Sequence, residues 1–116
     1  MRQIVFYRTE TGFSPVEDFL DSLPGKQAQK VVWVLNLIEE LERIPQTYFK
    51  KLKGTDDIWE IRVQTGGDSY RILCFLDGGR VVVLSHAFQK KKQKTPRKEI
   101  QIAERRRYDY LRRKQL

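Results

Sequence analysis

Two Gly-Gly pairs sit between three short apolar runs, and this spacing constrains the fold more than any other feature of the 116-residue chain. Gly66-Gly67 separates Trp59-Glu60-Ile61-Arg62-Val63 from Tyr70-Arg71-Ile72-Leu73-Cys74-Phe75-Leu76, and Gly78-Gly79 separates that run from Val81-Val82-Val83-Leu84. Gly-Gly is a two-residue hairpin signal, because a type I′ turn requires positive φ at both central positions. Counting outward from each turn sets Val63 against Tyr70, Ile61 against Ile72 and Trp59 against Cys74. The same count sets Cys74 against Val83 and Leu76 against Val81, which gives one nearly all-apolar face. On the opposite face it aligns Arg62 with Arg71 and Arg71 with His86, a cationic row across three strands.

Like charges opposed on a sheet destabilise it, and a one-residue slip would carry them into the core. The row therefore needs relief. An anion bound over it would supply this, and so would pairing with Glu60 or with the Asp56-Asp57 turn. His86 is the chain's one imidazole, hence the one side chain whose unperturbed pKa lies near neutrality.

The positive charge is segregated. Residues 1 to 88 hold 11 Lys and Arg against 12 Asp and Glu, whereas residues 89 to 116 hold 12 against 3. A basic cluster of this kind is the footprint of a phosphate-rich partner, since phosphate neutralisation releases condensed counterions. A solvated basic helix, or one that docks an acidic protein, has the same composition. Here the run follows the strand bearing His86, which favours nucleic acid. Lys51 and Lys53, ahead of the sheet, and Lys92, Lys94 and Arg97, which extend the run beyond Lys90 and Lys91, are the expected RNA contacts; Lys50 is a further cation near the mouth of the sheet.

The remaining segments complete one domain over residues 1–116. Gln3 to Arg8 reads as a first strand. Ser14-Pro15-Val16-Glu17 is a helix start with Ser14 as cap; helix one runs to about Leu23, where Pro24-Gly25 breaks it. A second helix from about Lys26 to Arg43 carries Val31, Val34, Leu35, Ile38 and Leu41 at helical spacing, widened by Trp33 and Leu37. Pro45 to Asp57 reads as a connection anchored by Tyr48-Phe49. Thr95-Pro96 opens a last helix as Ser14-Pro15 opens the first, with Ile100, Ala103, Tyr110 and Leu111 near one side. The expected class is α+β: a small, mostly antiparallel four-stranded sheet with an N-terminal helical hairpin on one face and a C-terminal helix. No apolar run approaches the ~20 residues of a membrane helix, and the start is charged too early for a signal peptide. With Cys74 as the lone cysteine, on the core face, these point to a cytoplasmic protein with no disulfide, no zinc cluster and no membrane partner.

Leu52-Lys53-Gly54, Trp59-Glu60-Ile61-Arg62-Val63, Tyr70-Arg71-Ile72-Leu73 and above all His86-Ala87-Phe88-Gln89-Lys90-Lys91, followed by Thr95-Pro96 and an Ala103-containing helix, resemble the phage-derived, HigB-like branch of the RelE/ParE toxin superfamily. The resemblance spans nearly the whole chain and lies in the order and spacing of these pieces. It implies a RelE-like fold and the toxin of a type II toxin-antitoxin pair, one that cleaves mRNA in the ribosomal A site with no metal or other cofactor, neutralised by a helix-turn-helix antitoxin. Its residues carry over as follows: Arg71 matches the arginine of the family's Tyr-Arg strand and would hold the scissile phosphate, with Arg62 assisting; Lys90 and Lys91 match its basic pair and would stabilise the transition state or supply the acid. His86 is the best acid or base on its own chemistry, as the one imidazole, and neighbouring arginines, which disfavour its cationic form, favour the role of base. Glu60 departs from RelE-type sites, where lysines dominate this strand, so it is either an alternative base or a counter-ion to Arg62. The C-terminal tyrosine that stacks on a base in some of these enzymes corresponds to Tyr108 or Tyr110, or to neither. The same fold also serves DNA gyrase poisons of the ParE type, and a non-catalytic RNA- or ribosome-binding module stays open as well.

Overall fold

A computed structural model describes all residues 1–116. In chain order the elements are β1 (Gln3–Phe6), α1 (Pro15–Asp21), α2 (Gly25–Glu40), β2 (Phe49–Lys51), β3 (Trp59–Thr65), β4 (Asp68–Asp77), β5 (Val81–Gln89) and α3 (Arg97–Lys114). The class is α+β, as expected, but the sheet has five strands in the order β1-β5-β4-β3-β2. β1 runs parallel to β5, and every other pair is antiparallel. The additional strand is β2, cut from the segment read as a connection, and it lays Lys50 opposite Glu60 and Lys51 opposite Trp59. Three residues flanked by Pro45 and Gly54 are too few to show an alternating pattern.

The first hairpin has the expected register. Val63 faces Tyr70, Ile61 faces Ile72, Trp59 faces Cys74 and Arg62 faces Arg71, around Gly66-Gly67 as a two-residue loop. Only Gly66 takes a positive φ, 59°, so the turn departs from the type I′ expectation, in which both glycines are left-handed. The second hairpin overturns the predicted register. Asp77 pairs with Val81, so Gly78, Gly79 and Arg80 form a three-residue loop, and the pairing shifts by a further residue between Leu73 and Cys74. Cys74 then faces Leu84 rather than Val83, Leu76 faces Val82 rather than Val81, and Arg71 faces Phe88 rather than His86. Ser85 is the bulged residue between Leu84 and His86. A bulge of this kind re-aims the side chains beyond it.

Both faces of the sheet are covered. On one, α1 and α2 bury Val16, Val31, Val34, Leu35 and Ile38 against Ile61, Val63, Tyr70, Ile72, Cys74, Val82 and Leu84. This is the helical hairpin packed as expected, with the Ser14 hydroxyl accepting from the Glu17 amide at the start of α1. Leu41 falls outside α2, and Trp33 points outward at 47 % exposure. On the other face α3 lies over Ile58, Leu73, Phe75, Val83 and Phe88 through Ala103, with Ile100 and Tyr110 packed alongside. Burial pushes the Cys74 thiol pKa up, so this residue is a small core hydrophobe.

α3 carries few apolar residues, and polar ties fix it to the sheet. The Tyr7 hydroxyl donates to Asp109 (2.6 Å), the Tyr110 hydroxyl donates to Asp77 (2.7 Å), and the Ser85 hydroxyl donates to the Ala103 carbonyl (3.1 Å). Each tie is made by a buried or half-buried group whose lost hydration the bond replaces. No helix of the structure is long and apolar enough to cross a membrane.

Candidate functional site

Glu60 is the centre of the site. Position 60 of β3 alternates with the core-facing Ile61, so its side chain enters the α3 side of the sheet, where it is 1 % exposed. Arg62 Nε donates to Glu60 Oε1 at 3.0 Å, and Arg71 Nε lies 3.5 Å from the same oxygen. The Thr95 hydroxyl donates to Oε2. A buried carboxylate is stable only when paired and hydrogen-bonded, and here both oxygens are engaged. The Asp56-Asp57 turn contributes nothing to this pairing: Asp57 accepts instead from the Trp59 indole (3.0 Å) and the Leu76 amide (3.3 Å).

Arg71 is held from several sides. Its Nη1 donates to Ser69 Oγ (2.8 Å) and to the Tyr70 carbonyl (3.0 Å), while Nε is buried without a hydrogen-bond partner. Burial lowers its pKa, against the opposing pull of Glu60. Lys90 follows β5, with its backbone amide donating to the Ser69 carbonyl at 2.7 Å. Its pKa is also lowered, first by burial and then by the charge of Arg71, with Arg62 adding to the effect and Glu60 opposing it. A lysine so placed sheds its proton more easily than an exposed one.

Two grooves meet at these residues. One, of about 360 Å³, is lined by Lys50, Lys51, Lys53, Arg62, Lys90, Lys94, Thr95 and the edge of Glu60, with Leu52, Gln93 and Ile100. The other, of about 630 Å³, is lined by Lys30, Gln46, Thr47, Tyr48, Lys50, Arg62, Val63, Gln64 and Arg71. They share Lys50 and Arg62. Together they gather eight cationic side chains around one carboxylate that is itself buried. Opposed cations in such number, with one neutralising group, create a positive potential focused along the groove.

The structure thus brings together Arg62, Arg71, Lys90, Glu60, Lys51, Lys53 and Lys94. Lys91, Lys92 and Arg97 are exposed and line neither groove. His86 is elsewhere. It faces Leu73 one row away and lies under α3, where Nε2 pairs with Glu99 Oε1 at 2.8 Å and Nδ1 pairs with Arg106 Nη1 at 3.2 Å. Because a guanidinium can only donate, Nδ1 accepts and the neutral ring donates from Nε2 to Glu99. Burial lowers the His86 pKa, Glu99 opposes this, and Arg106 reinforces it. Both ring nitrogens are engaged in tying β5 to α3, which removes His86 from the cationic row.

Sequence reasoning missed Thr95 and Lys30. Thr95 resembles a helix cap, yet α3 has no side-chain cap and its hydroxyl turns to Glu60; the only hint was its place just after the basic run. Lys30 comes from α2, which the sequence marks only by its apolar spacing as a helix packed on the sheet. Tyr108 is 70 % exposed and Tyr110 is tied to Asp77, so neither lines the grooves. No three His, Cys, Asp or Glu side chains converge to hold a metal ion.

Fold and site together define an α+β domain with a strongly basic groove along the β2, β3 and β4 side of a mixed sheet. The chain belongs to the phage-derived Gp49-like protein family (DUF891), whose family model matches residues 18–108. That span includes every residue of the two grooves. Comparison with curated proteins finds no significant match.

Proposed function

We propose that this protein is the toxin of a type II toxin-antitoxin pair, a RelE-like member of the RelE/ParE superfamily that cleaves mRNA on the ribosome. The observation that carries the reading is the groove itself: Arg62, Arg71 and Lys90 converge with five further lysines around a carboxylate that they bury. Cleavage forms a bond from the ribose 2′-oxygen to the adjacent phosphorus and breaks the bond from phosphorus to the 5′-oxygen, so it needs the 2′-hydroxyl proton taken, the leaving 5′-oxygen protonated, and fixed positive charge where the phosphorane forms. Arg71, immobilised by Ser69 and Tyr70, contacts the scissile phosphate, and Arg62 supports it. Lys90 is the proton-transfer group, taking the 2′-hydroxyl proton and returning one to the leaving 5′-oxygen: it lines the groove beside Arg62, and burial and the two arginines lower its pKa. Glu60 is not the base in this scheme: its oxygens are taken by Arg62, Arg71 and Thr95, and it orients the arginines. The basic residues outside the groove, Lys91, Lys92 and Arg97, track the RNA backbone. A helix-turn-helix antitoxin completes the pair.

The test is primer extension on a reporter mRNA in a translation reaction, with a parallel reaction lacking ribosomes. Ribosome-dependent cuts within codons are expected from the wild type and from His86→Ala at a temperature where that variant stays folded. Arg71→Ala and Lys90→Ala should each lower cutting by about a hundredfold or more, the scale of losing one charge-stabilising group. Intact mRNA beside continued growth arrest would overturn the nuclease assignment and shift attention to gyrase.

A further inference from the structure

We infer that Trp33 and Tyr48 form a stacking platform for a base of single-stranded RNA at the α2 end of the groove. The inference deepens the proposed function, because it takes RNA as the occupant of that groove. α2 buries one stripe, Val31, Val34, Leu35 and Ile38, whereas Trp33 stands outside it at 47 % exposure. Its ring meets Tyr48 edge to face, with centroids 5.9 Å apart and planes at 73°. Lys30 Nζ sits 4.5 Å from the Trp33 ring centroid. Tyr48 and Lys30 both line the groove that contains Arg62 and Arg71. The exposed indole thus abuts the phosphate-binding cations through two of its neighbours.

A strand of RNA presents phosphates and bases side by side, and single-strand sites pair a cationic track with aromatic faces in the same way. Arg71 takes a phosphate; the adjoining base reaches the indole. Lys30, which covers the ring in the free protein, is then drawn to the phosphate, exchanging a cation–π contact for an ion pair. An acidic protein segment would also find the cations, but it brings no flat ring for Trp33.

The experiment uses Trp59→Phe as background, so that Trp33 is the sole indole; Trp59 is stacked on Phe49 at 4.8 Å, and a phenyl ring can keep that contact. A 2′-O-methyl oligoribonucleotide, which cannot be cut, and an abasic phosphodiester of equal length are titrated at low salt. The RNA is expected to quench Trp33 fluorescence and to bind about tenfold more tightly than the abasic strand, as one lost stack implies. In the intact chain, Trp33→Ala should abolish that preference and Trp33→Phe should keep most of it. Equal affinity for the two strands, a preference unchanged in Trp33→Ala, or no RNA binding would each overturn the inference. If RNA quenches Trp33 but no message is cut on ribosomes, the nuclease reading falls and the platform stands. If messages are cut equally by wild type and Trp33→Ala, and RNA fails to quench, the platform falls alone.

Discussion

Replacing Glu60 by Gln should unfold the protein at lower temperature and at the same time turn its groove into a stronger anion site. The substitution keeps shape and a hydrogen-bonding oxygen but removes the charge that faces Arg62 Nε at 3.0 Å and Arg71 Nε at 3.5 Å. The two arginines differ in what they lose. The Arg62 side chain is 34 % exposed and can rehydrate, so its pair with Glu60 contributes little. The Arg71 side chain is 12 % exposed and pinned through Ser69, so its charge would be left buried without a partner. Breaking a buried pair from one side costs about 3 kcal/mol. For a domain of this size that corresponds to a fall in Tm of roughly 12 °C. Phosphate should reverse part of the loss by occupying the place of the missing charge, so its stabilising effect should be larger in Glu60→Gln than in the wild type. Circular-dichroism melts of both proteins, with and without phosphate at constant ionic strength, give the answer. A variant as stable as the wild type, or one that gains no more from phosphate, would refute the view that Glu60 serves as counter-ion to the arginines.

The Glu60–Thr95 bond gives a second expectation: Thr95→Val should lower unfolding free energy in urea by about 2 kcal/mol, as expected for a hydrogen bond to a charged group, and unchanged stability would count against it. His86 supplies a pH dependence whose sign is fixed by its depressed pKa. The folded state resists protonation, so the stability that His86 contributes is present above its unfolded pKa of about 6.5 and is lost as pH falls through that value towards the folded pKa. Urea unfolding between pH 7.5 and 5, roughly spanning this window, should show wild-type stability falling faster than that of His86→Gln; parallel curves would contradict the buried neutral imidazole.

Much of the sheet was legible because the residues of β3 and β4 alternate. Ile61, Val63, Tyr70 and Ile72 go to one side while Arg62 and Arg71 go to the other, and the tight Gly66-Gly67 loop fixes how they meet. β5 offers no such guide. Val81-Val82-Val83-Leu84 is apolar throughout, as befits a strand covered on both faces, so nothing in it reveals a loop longer by one residue or the bulge at Ser85. That error of register moved His86 beside Arg71 on paper, while the fold sends it to Glu99 and Arg106. The arginine pair and Lys90 were readable from position and charge. Thr95, Lys30 and the polar ties of α3 were not, because they join residues distant in the chain, 18 to 102 positions apart for the bonded pairs, through single bonds or shared walls, and no local pattern records such a meeting.

The parallel pairing of β1 with β5 joins Gln3 to Val81 and Phe6 to Leu84, and its consequence is kinetic. The β3–β4 and β4–β5 hairpins close short loops and can form early, whereas seating the first strand closes a loop of nearly eighty residues, at an entropic cost on the order of 4 kcal/mol beyond a constant. On that account the meander is the folding nucleus, and the first strand docks late. During synthesis the order is stricter. The first strand has no neighbour to pair with until Val81–Leu84 has emerged, and the groove is unfinished until Lys90, Lys94 and Thr95 follow. A nascent chain therefore holds a scattered set of lysines and arginines for most of its translation, and gathers them into one field only near the end.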